Sequence, residues 1–361
     1  MIEKILKSHG LISIFEKIRA GERISVEEGQ VLFECRDPLA IGVLAHYARM
    51  RLHGDKTTYV LNQHINYTNV CVNRCRFCAF HRRKGEEGAF ELSLGEIEEK
   101  LSKMKGHIRE VHIVGGCHPS HPISYYVGLI KKVRNLLPEA TIKCFTAVEI
   151  EHIAKKSGIS VEETLLLLKE AGMEMLPGGG AEIFDPEIRK KICPEKISGT
   201  RWLDIMEMAH SLGLKSNCTM LFGHIESPIH RLRHLDELRK LQDRTGGFVC
   251  FIPLPFLTKH SRLKGTRTLS GAEKLKTIAI SRIMLDNIPH IKSYWIMLGI
   301  KMAQTALFFG ADDFDGTVVE EKIGHMAGAD SPQVLTREEI KTMIIKCGLK
   351  PVERNGLFEY V

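Results

Sequence analysis

The alternation of short β-rich runs with helical stretches limits this chain more than any other feature. Candidate strands fall at Tyr59–Asn66, Glu110–Val114, Thr141–Thr146, Met173–Leu176, Lys215–Phe222, Phe248–Ile252, His290–Trp295 and Ala311–Phe314. Between them apolar residues recur at helical spacing over Ser93–Lys105, Ser124–Leu137, Val161–Ala171, Gly199–Leu212, Ile229–Thr245, Gly271–Asp286 and Lys301–Phe309. Strands joined through helices pair in parallel, because each crossover returns the chain to the same end of the sheet. Eight such strands in 361 residues predict an α/β fold, a closed (β/α)8 TIM-type barrel with additions at both ends. Helical spacing of Ile5, Leu6, Ile12, Phe15 and Ile18, with a start signal at Ser25-Val26-Glu27-Glu28, assigns residues 1–55 to an N-terminal helical extension. The barrel takes residues 56–316. Residues 317–361 form a C-terminal extension packed on it, with a helix start at Thr336-Arg337-Glu338-Glu339 and a strand-like piece at Leu357–Tyr360.

Composition excludes several classes. An apolar share of 43% suits a globular core. The start of the chain lacks the apolar run of a signal peptide. The stretch from Tyr294 to Gly310 is broken by Lys301 and Gln304, so it reads as a strand and a buried helix rather than a membrane span. Ten cysteines, scattered singly outside one trio, point to a reducing, cytoplasmic setting rather than a disulfide scaffold. The net charge of +7 is spread along the helices, which favours a small anionic substrate over nucleic acid or a membrane as partner. A homodimer stays open.

The trio itself is Cys71-Val-Asn-Arg-Cys75-Arg-Phe-Cys78. Three soft thiolates from one short loop are one ligand short of a closed site. On a cubane iron–sulfur cluster they leave one iron open to a ligand that is not protein. Zinc is the competing reading, with His81 as a fourth ligand, but structural zinc usually takes paired Cys-x2-4-Cys or Cys/His units and no second pair follows. Arg74 and Arg76 either offset thiolate charge or belong to an ordinary solvated loop.

Function in a β/α barrel sits at the C-terminal ends of the strands. The trio follows the first strand. Gly115-Gly116 follows the second, where missing Cβ atoms let a ligand come close to the backbone. Thr146 and Glu149 follow the third; the carboxylate suits either ribose hydroxyls or a helix N-terminus. Gly178-Gly179-Gly180 and Glu182 follow the fourth. Asn217 and Thr219 alternate on the fifth and so share a face, and His224 follows them as a candidate proton-transfer group. His64 and Asn66 on the first strand are further candidates for substrate contact. Asp312, Asp313 and Asp315 read as a turn.

Cys71-x3-Cys75-x-Phe77-Cys78, with an aromatic residue before the third cysteine, resembles the signature of the radical S-adenosylmethionine (SAM) superfamily. The resemblance implies one [4Fe-4S] cluster on Cys71, Cys75 and Cys78, with the amino and carboxylate groups of SAM on the open iron. It also implies that Phe77, Gly115, Gly116, Glu149 and Glu182 contact SAM. The segments His64-Ile-Asn66-Tyr-Thr-Asn69-Val-Cys71, Thr146-Ala-Val-Glu149-Ile, Gly178-Gly-Gly-Ala-Glu182-Ile, Lys191-Ile-Cys193-Pro-Glu-Lys-Ile-Ser198-Gly and Thr219-Met-Leu-Phe-Gly-His224-Ile-Glu226 resemble the aminodeoxyfutalosine synthases of the futalosine route to menaquinone. Dehypoxanthine futalosine cyclases and the deazaflavin-forming radical enzymes are similar too. The family's chemistry implies addition of a 5′-deoxyadenosyl radical to 3-[(1-carboxyvinyl)oxy]benzoate, aryl migration and decarboxylation. SAM is then a co-substrate, and a low-potential electron donor is a required partner. The substrate's two carboxylates need cationic or donor partners at the mouth, for which polar strand ends and arginines are candidates. The reading from a different class is a zinc-stabilised nucleic-acid-binding protein.

Overall fold

The computed structural model describes residues 2–102 and 108–361. Among these described residues ten strands form, all but isolated bridges in parallel register: β1 (Lys56–Val60), β2 (Asn62–Ile65), β3 (Glu110–Ile113), β4 (Thr141–Cys144), β5 (Met175–Leu176), β6 (Lys215–Phe222), β7 (Phe248–Pro255), β8 (His290–Ile291), β9 (Asp313–Gly316) and β10 (Lys350–Arg354). Strands β2 to β8 lie side by side in sequence order as one seven-stranded parallel sheet, each joined to the next through helix. The sheet curls into a β/α barrel. Its two edges approach through β9, since Asp312 N donates to Ile291 O of β8 and Ser293 N, just after β8, donates to Asp313 O of β9, while Thr317 N and His64 N tie the following segment to β1 and β2.

β1 and β2 are nearly one continuous strand that changes partners at Leu61. Its lower half pairs with β9 and β10, its upper half with β3. The final strand is therefore Lys350–Arg354, upstream of the expected Leu357–Tyr360, where only Tyr360 bridges back to Arg354. The strand expected over His290–Trp295 stops at Ile291, because Trp295–Leu298 already winds as helix and a second short helix, Ile300–Ala306, follows. Helices Ala147–Ser157 and Pro186–Ile192 escaped the periodicity reading; each begins on a local N-cap, Thr146 with Glu149 and Asp185 before Pro186. The end of the expected helix Ser93–Lys105 lies outside the described residues; Leu94–Ser102 is helical. The predicted starts at Ser25 and Thr336 are both reciprocal capping boxes, with Glu28 and Glu339 returning to the cap N–H groups. The N-terminal helices belong to the outer ring: Val26–Glu34 packs on Pro228–Thr245 and Gly271–Met284, and Pro38–His53 packs on Gly271–Met284.

Asp312, Asp313 and Asp315 are not a turn. Asp313 and Asp315 lie on β9, and all three are buried in the barrel base. Arg354 from β10 grips Asp313 with Nε–Oδ2 2.6 Å and Nη2–Oδ1 3.0 Å, Lys292 bridges Asp313 at 2.9 Å and also binds Asp315, and Asp312 holds His290. Beside them Lys143 and Glu110 pair at 2.7 Å. Arg354, Lys292 and Lys143 answer Asp313, Asp315 and Glu110, and Asp312 takes hydrogen bonds from His290 and Ile291 N, which is what lets so many sit out of water.

Candidate functional site

A cavity of about 320 Å³ opens at the C-terminal ends of the strands, within the size range of small-molecule sites. Its wall contains Cys71, Cys75, Cys78 and Phe77 from the loop after β2, Gly115 and Gly116 after β3, Thr146 and Glu149 after β4, and Glu182 after β5. Thr219 comes from β6 and His64 from β2.

The cysteine loop is pinned by its backbone. Cys71 N bonds Arg82 O at 3.0 Å, Val72 N bonds Cys117 O at 3.0 Å and Arg76 N bonds Ile192 O at 2.8 Å. Gly116 makes this possible, for a Cβ there would stand 2.2 Å from Val70 O and 3.0 Å from Cys71 Cβ. The Gly-Gly pair thus admits the chain's own cysteine loop, not only a ligand. Gly178 serves a similar end with φ +83° and its Cα turned against the β6 backbone, where a Cβ would meet Asn217 O at 2.4 Å.

Glu149 is committed to protein donors. Its carboxylate accepts from Thr146 N (2.8 Å), Thr146 Oγ1 (2.7 Å), Tyr67 Oη (2.8 Å) and Gly115 N (3.0 Å). It caps helix Ala147–Ser157 and fixes the Gly115 turn, so the helix-terminus reading accounts for it. Thr146 is spent in the same box.

Glu182 holds a left-handed conformation, φ 49°, and receives Lys196 Nζ at 2.6 Å. Lys196 also lies 5.2 Å from the centre of the Phe77 ring. Burial opposes its charge, but Cys75, Glu182 and Cys193 raise its pKa well above the ordinary lysine value. Sequence reasoning missed this cation. Nothing local marks it; only the fold brings it between the fourth strand end and the cysteine loop. Lys196→Met is expected to strip iron from the purified protein and to lower its melting temperature, because Glu182 is left buried and unpaired. Lys196→Met with Glu182→Gln is expected to regain stability while iron content, read by colorimetric assay, stays low.

The remaining candidates divide. His64 is buried against His112, with ring centres 4.5 Å apart and planes 10° from parallel, and its Nε2 has no partner at the cavity wall. Burial lowers the pKa of both. Three others do not reach the cavity wall. Asn66 uses its amide to tie Val114 O (3.1 Å) to Lys322 N (3.1 Å). Asn217 is buried on β6, with neither amide atom partnered. His224 is folded into a knot with Glu226 and Arg231, its Nδ1 accepting from Ile225 N at 2.8 Å. Thr219 does reach the wall, but its hydroxyl donates to Gly178 O at 2.9 Å. The cations of the wall are Lys143, Lys196 and Lys292, and among the described residues no arginine lines it.

A segment after β9 closes one side of the mouth through Glu321, Ile323, Gly324 and Ala327. Val318 and Glu320 on its approach take positive φ of 50° and 63°, an uncommon conformation for residues with a Cβ and doubly so for a branched one. His325 holds the segment, with Nδ1 3.2 Å from Glu321 Oε2 and Nε2 3.1 Å from Pro332 O. The Glu321 hydrogen bond raises its pKa from 6.5 to about 9. A raised folded pKa means that the contribution is complete below about 6.5 and is lost as pH rises through about 9. Hydrogen exchange of residues 321–332 is therefore expected to speed up between pH 8 and 10 beyond its intrinsic rise, and His325→Gln is expected to remove that excess.

Over residues 65–238 the sequence matches the Radical SAM superfamily, and over residues 245–361 the CofH/MqnC C-terminal region. It is 43% identical over 356 residues to the aminodeoxyfutalosine synthase of Thermus thermophilus, covering 97% of this chain and 96% of that one. The chain belongs to the radical SAM superfamily. This radical SAM enzyme is also 36% identical over 359 residues to 5-amino-6-(D-ribitylamino)uracil–L-tyrosine 4-hydroxyphenyl transferase of Methanopyrus kandleri, covering 97% of each. The crystal structure of methylornithine synthase matches its fold with a TM-score of 0.72 over 94% of this chain and 97% of that one, at 20% identity. The family implies an iron–sulfur cluster and SAM, and it is a transferase in kind; no described helix is long and apolar enough to cross a membrane.

The donor set suits a cluster. Zinc with sulfur ligands at about 2.3 Å needs its thiolates within about 4.6 Å of one another. Among the described residues, the groups whose ligand atoms converge within 4.8 Å are His53 with His290 and Asp312, and Glu91 with His118 and His121. The cysteine trio is not one of them. Its sulfurs face one cavity instead, and Cys71 Sγ accepts from Cys117 N at 3.3 Å, the kind of donor that tunes cluster sulfurs. The Cys117 thiol also lowers the pKa of Cys71 by hydrogen bonding.

Proposed function

We propose that this radical SAM transferase adds the 5′-deoxyadenosyl group of SAM to 3-[(1-carboxyvinyl)oxy]benzoate, with aryl migration and loss of carbon dioxide, to form aminodeoxyfutalosine for menaquinone synthesis in the cytoplasm. The observation that carries the reading is the end-to-end 43% identity with an enzyme of that name. Cys71, Cys75 and Cys78 hold one [4Fe-4S] cluster, which when bound supplies the electron that cleaves SAM to methionine and the adenosyl radical. Every other task falls to the protein. Phe77, Gly115 and Glu182 border SAM; Glu149 and Tyr67 act behind them as positioning residues. Lys196 keeps a cation between the thiolates and Glu182, which lowers the cost of gathering negative charge in a buried space.

The cavity floor then faces the second substrate. His64 and His112, whose pKa values burial lowers, offer donors or acceptors, and the cations of that floor, Lys143 and Lys292, are already paired with Glu110 and with Asp313 and Asp315. Orientation within a closed wall matters more than acid–base power here, since a primary carbon radical must meet the double bond before any other C–H bond. The mouth segment at 321–327 excludes water and stray partners.

The test is anaerobic reconstitution with iron and sulfide, then SAM, dithionite and each candidate substrate in turn. Aminodeoxyfutalosine formed from the enol ether supports the reading. Turnover of dehypoxanthine futalosine, or of tyrosine with the ribitylaminouracil, in its place would move the enzyme to a sister reaction on the same site.

A further inference from the structure

We infer that the basic cleft over the cysteine loop is the docking surface for an acidic one-electron carrier protein. The inference rests on the cluster assigned under the proposed function.

Net charge is not spread as evenly as the sequence suggested. Arg76, Lys191, Arg262 and Lys264 converge with Ile225 and Leu263 to line a cleft on the outer side of the cysteine loop. They come from three distant stretches of chain, which is why no run of basic residues announces them. All four are exposed, as is Arg74 beside them in the loop. Among the described residues, none of them has an acidic side chain at ion-pair distance; Glu86 senses Arg262 through space and takes its hydrogen bond from Arg83 N. Several cations elsewhere on the surface are matched, Arg23 to Asp243 and Asp286, Arg201 to Glu151, Arg244 to Glu207 and Arg267 to Glu273, and exposed lysines without an ion pair among the described residues, such as Lys131, Lys155 and Lys156, line no part of the cleft. A group of unmatched like charges repels itself and is retained at a cost unless something anionic answers it.

The position decides what answers. Arg76 follows Cys75 directly, its N–H bonded to Ile192 O and its carbonyl accepting from Arg262 N at 3.1 Å. The cleft is thus one residue from a proposed cluster ligand, with the cavity on the other side of the same loop. An electron entering here crosses only the cysteine loop. The alternative way in, through the mouth, is the path taken by SAM and substrate. A small anion in the cleft supplies no electron. Single-stranded nucleic acid is disfavoured because the cleft offers no aromatic face for stacking. An acidic protein with an exposed flavin or iron–sulfur group satisfies both charge and redox need: the carrier is oxidised by one electron and the cluster is reduced by one.

The test uses a photoreduced acidic flavodoxin as probe and the variant Lys191→Glu/Arg262→Glu/Lys264→Glu. Its control is Lys131→Glu/Lys155→Glu/Lys156→Glu, three exposed lysines on outer helices. Two quantities are read: carrier affinity, measured with and without cluster, and the rate of cluster bleaching in stopped flow. The cleft variant is expected to lose about tenfold or more in both, with the wild-type rate falling steeply as salt rises. Bleaching by dithionite is expected to stay at the wild-type rate. Values within twofold of wild type, or an equal loss in the control, would each overturn the assignment. Failure of dithionite-reduced enzyme to consume the enol ether would overturn the substrate reading and leave the docking result standing.

Discussion

Cys75→Ala is expected to yield a folded barrel without the brown iron–sulfur absorption and without detectable cleavage of SAM. Cys75 is 4% exposed and is the central sulfur of the trio, so its loss leaves two local ligands where a cubane needs three. Cys75 packs at the edge of the apolar core, but exchanging its thiol for a hydrogen on the same Cβ removes a single buried atom, a loss the rest of the core and the charge network withstand. Circular dichroism should therefore match the wild type while iron, sulfide and 5′-deoxyadenosine all fall to background. Cys193→Ala is the contrast. That thiol is buried beside Lys196 yet outside the trio, and its removal should keep the colour. A brown, SAM-cleaving Cys75→Ala protein would sink the assignment of the cluster.

Gly116→Ala is expected to be the most damaging single-methyl change in the site. The new carbon would lie 2.2 Å from Val70 O and 2.7 Å from Val70 C, both backbone atoms that no rotamer change can move aside. Overpacking of this kind costs about 1–3 kcal/mol. Relief has to come from shifting the strand that leads into Cys71. Iron content after reconstitution should fall several-fold, with a smaller drop in melting temperature. Gly95→Ala, where the nearest atom to the new Cβ is 3.9 Å away, should change neither.

The barrel was legible because its signal is periodic. Alternating β-rich and helical runs survive errors of a few residues at each boundary, and the capping boxes at Ser25 and Thr336 stand within four residues of sequence. Thr146 and Glu149 form the same motif, and of the two readings the sequence left open for Glu149 the helix N-terminus accounts for its hydrogen bonds. What stayed hidden depends on distant chain. Lys196 looks like any surface lysine until the fold sets it beside Cys75. Asp313 and Asp315 read as a turn because three acids in a row usually stay in water; their partners, Lys292 and Arg354, are separated from them by tens of residues. The cleft at Arg76, Lys191, Arg262 and Lys264 is invisible for the same reason. The trio was plain because one loop carries all three sulfurs.

The pairing of β1 with β10 joins residues 56–60 to residues 350–354. On a translating ribosome, the base of the cylinder cannot be zipped until residues 350–354 have emerged, and until then Asp313 has Lys292 and Thr58 as partners but not Arg354. Such long-range closure is slow. Nascent chains of this enzyme therefore spend their synthesis as an open sheet with a bare lower edge, a state in which chaperone capture has time to act.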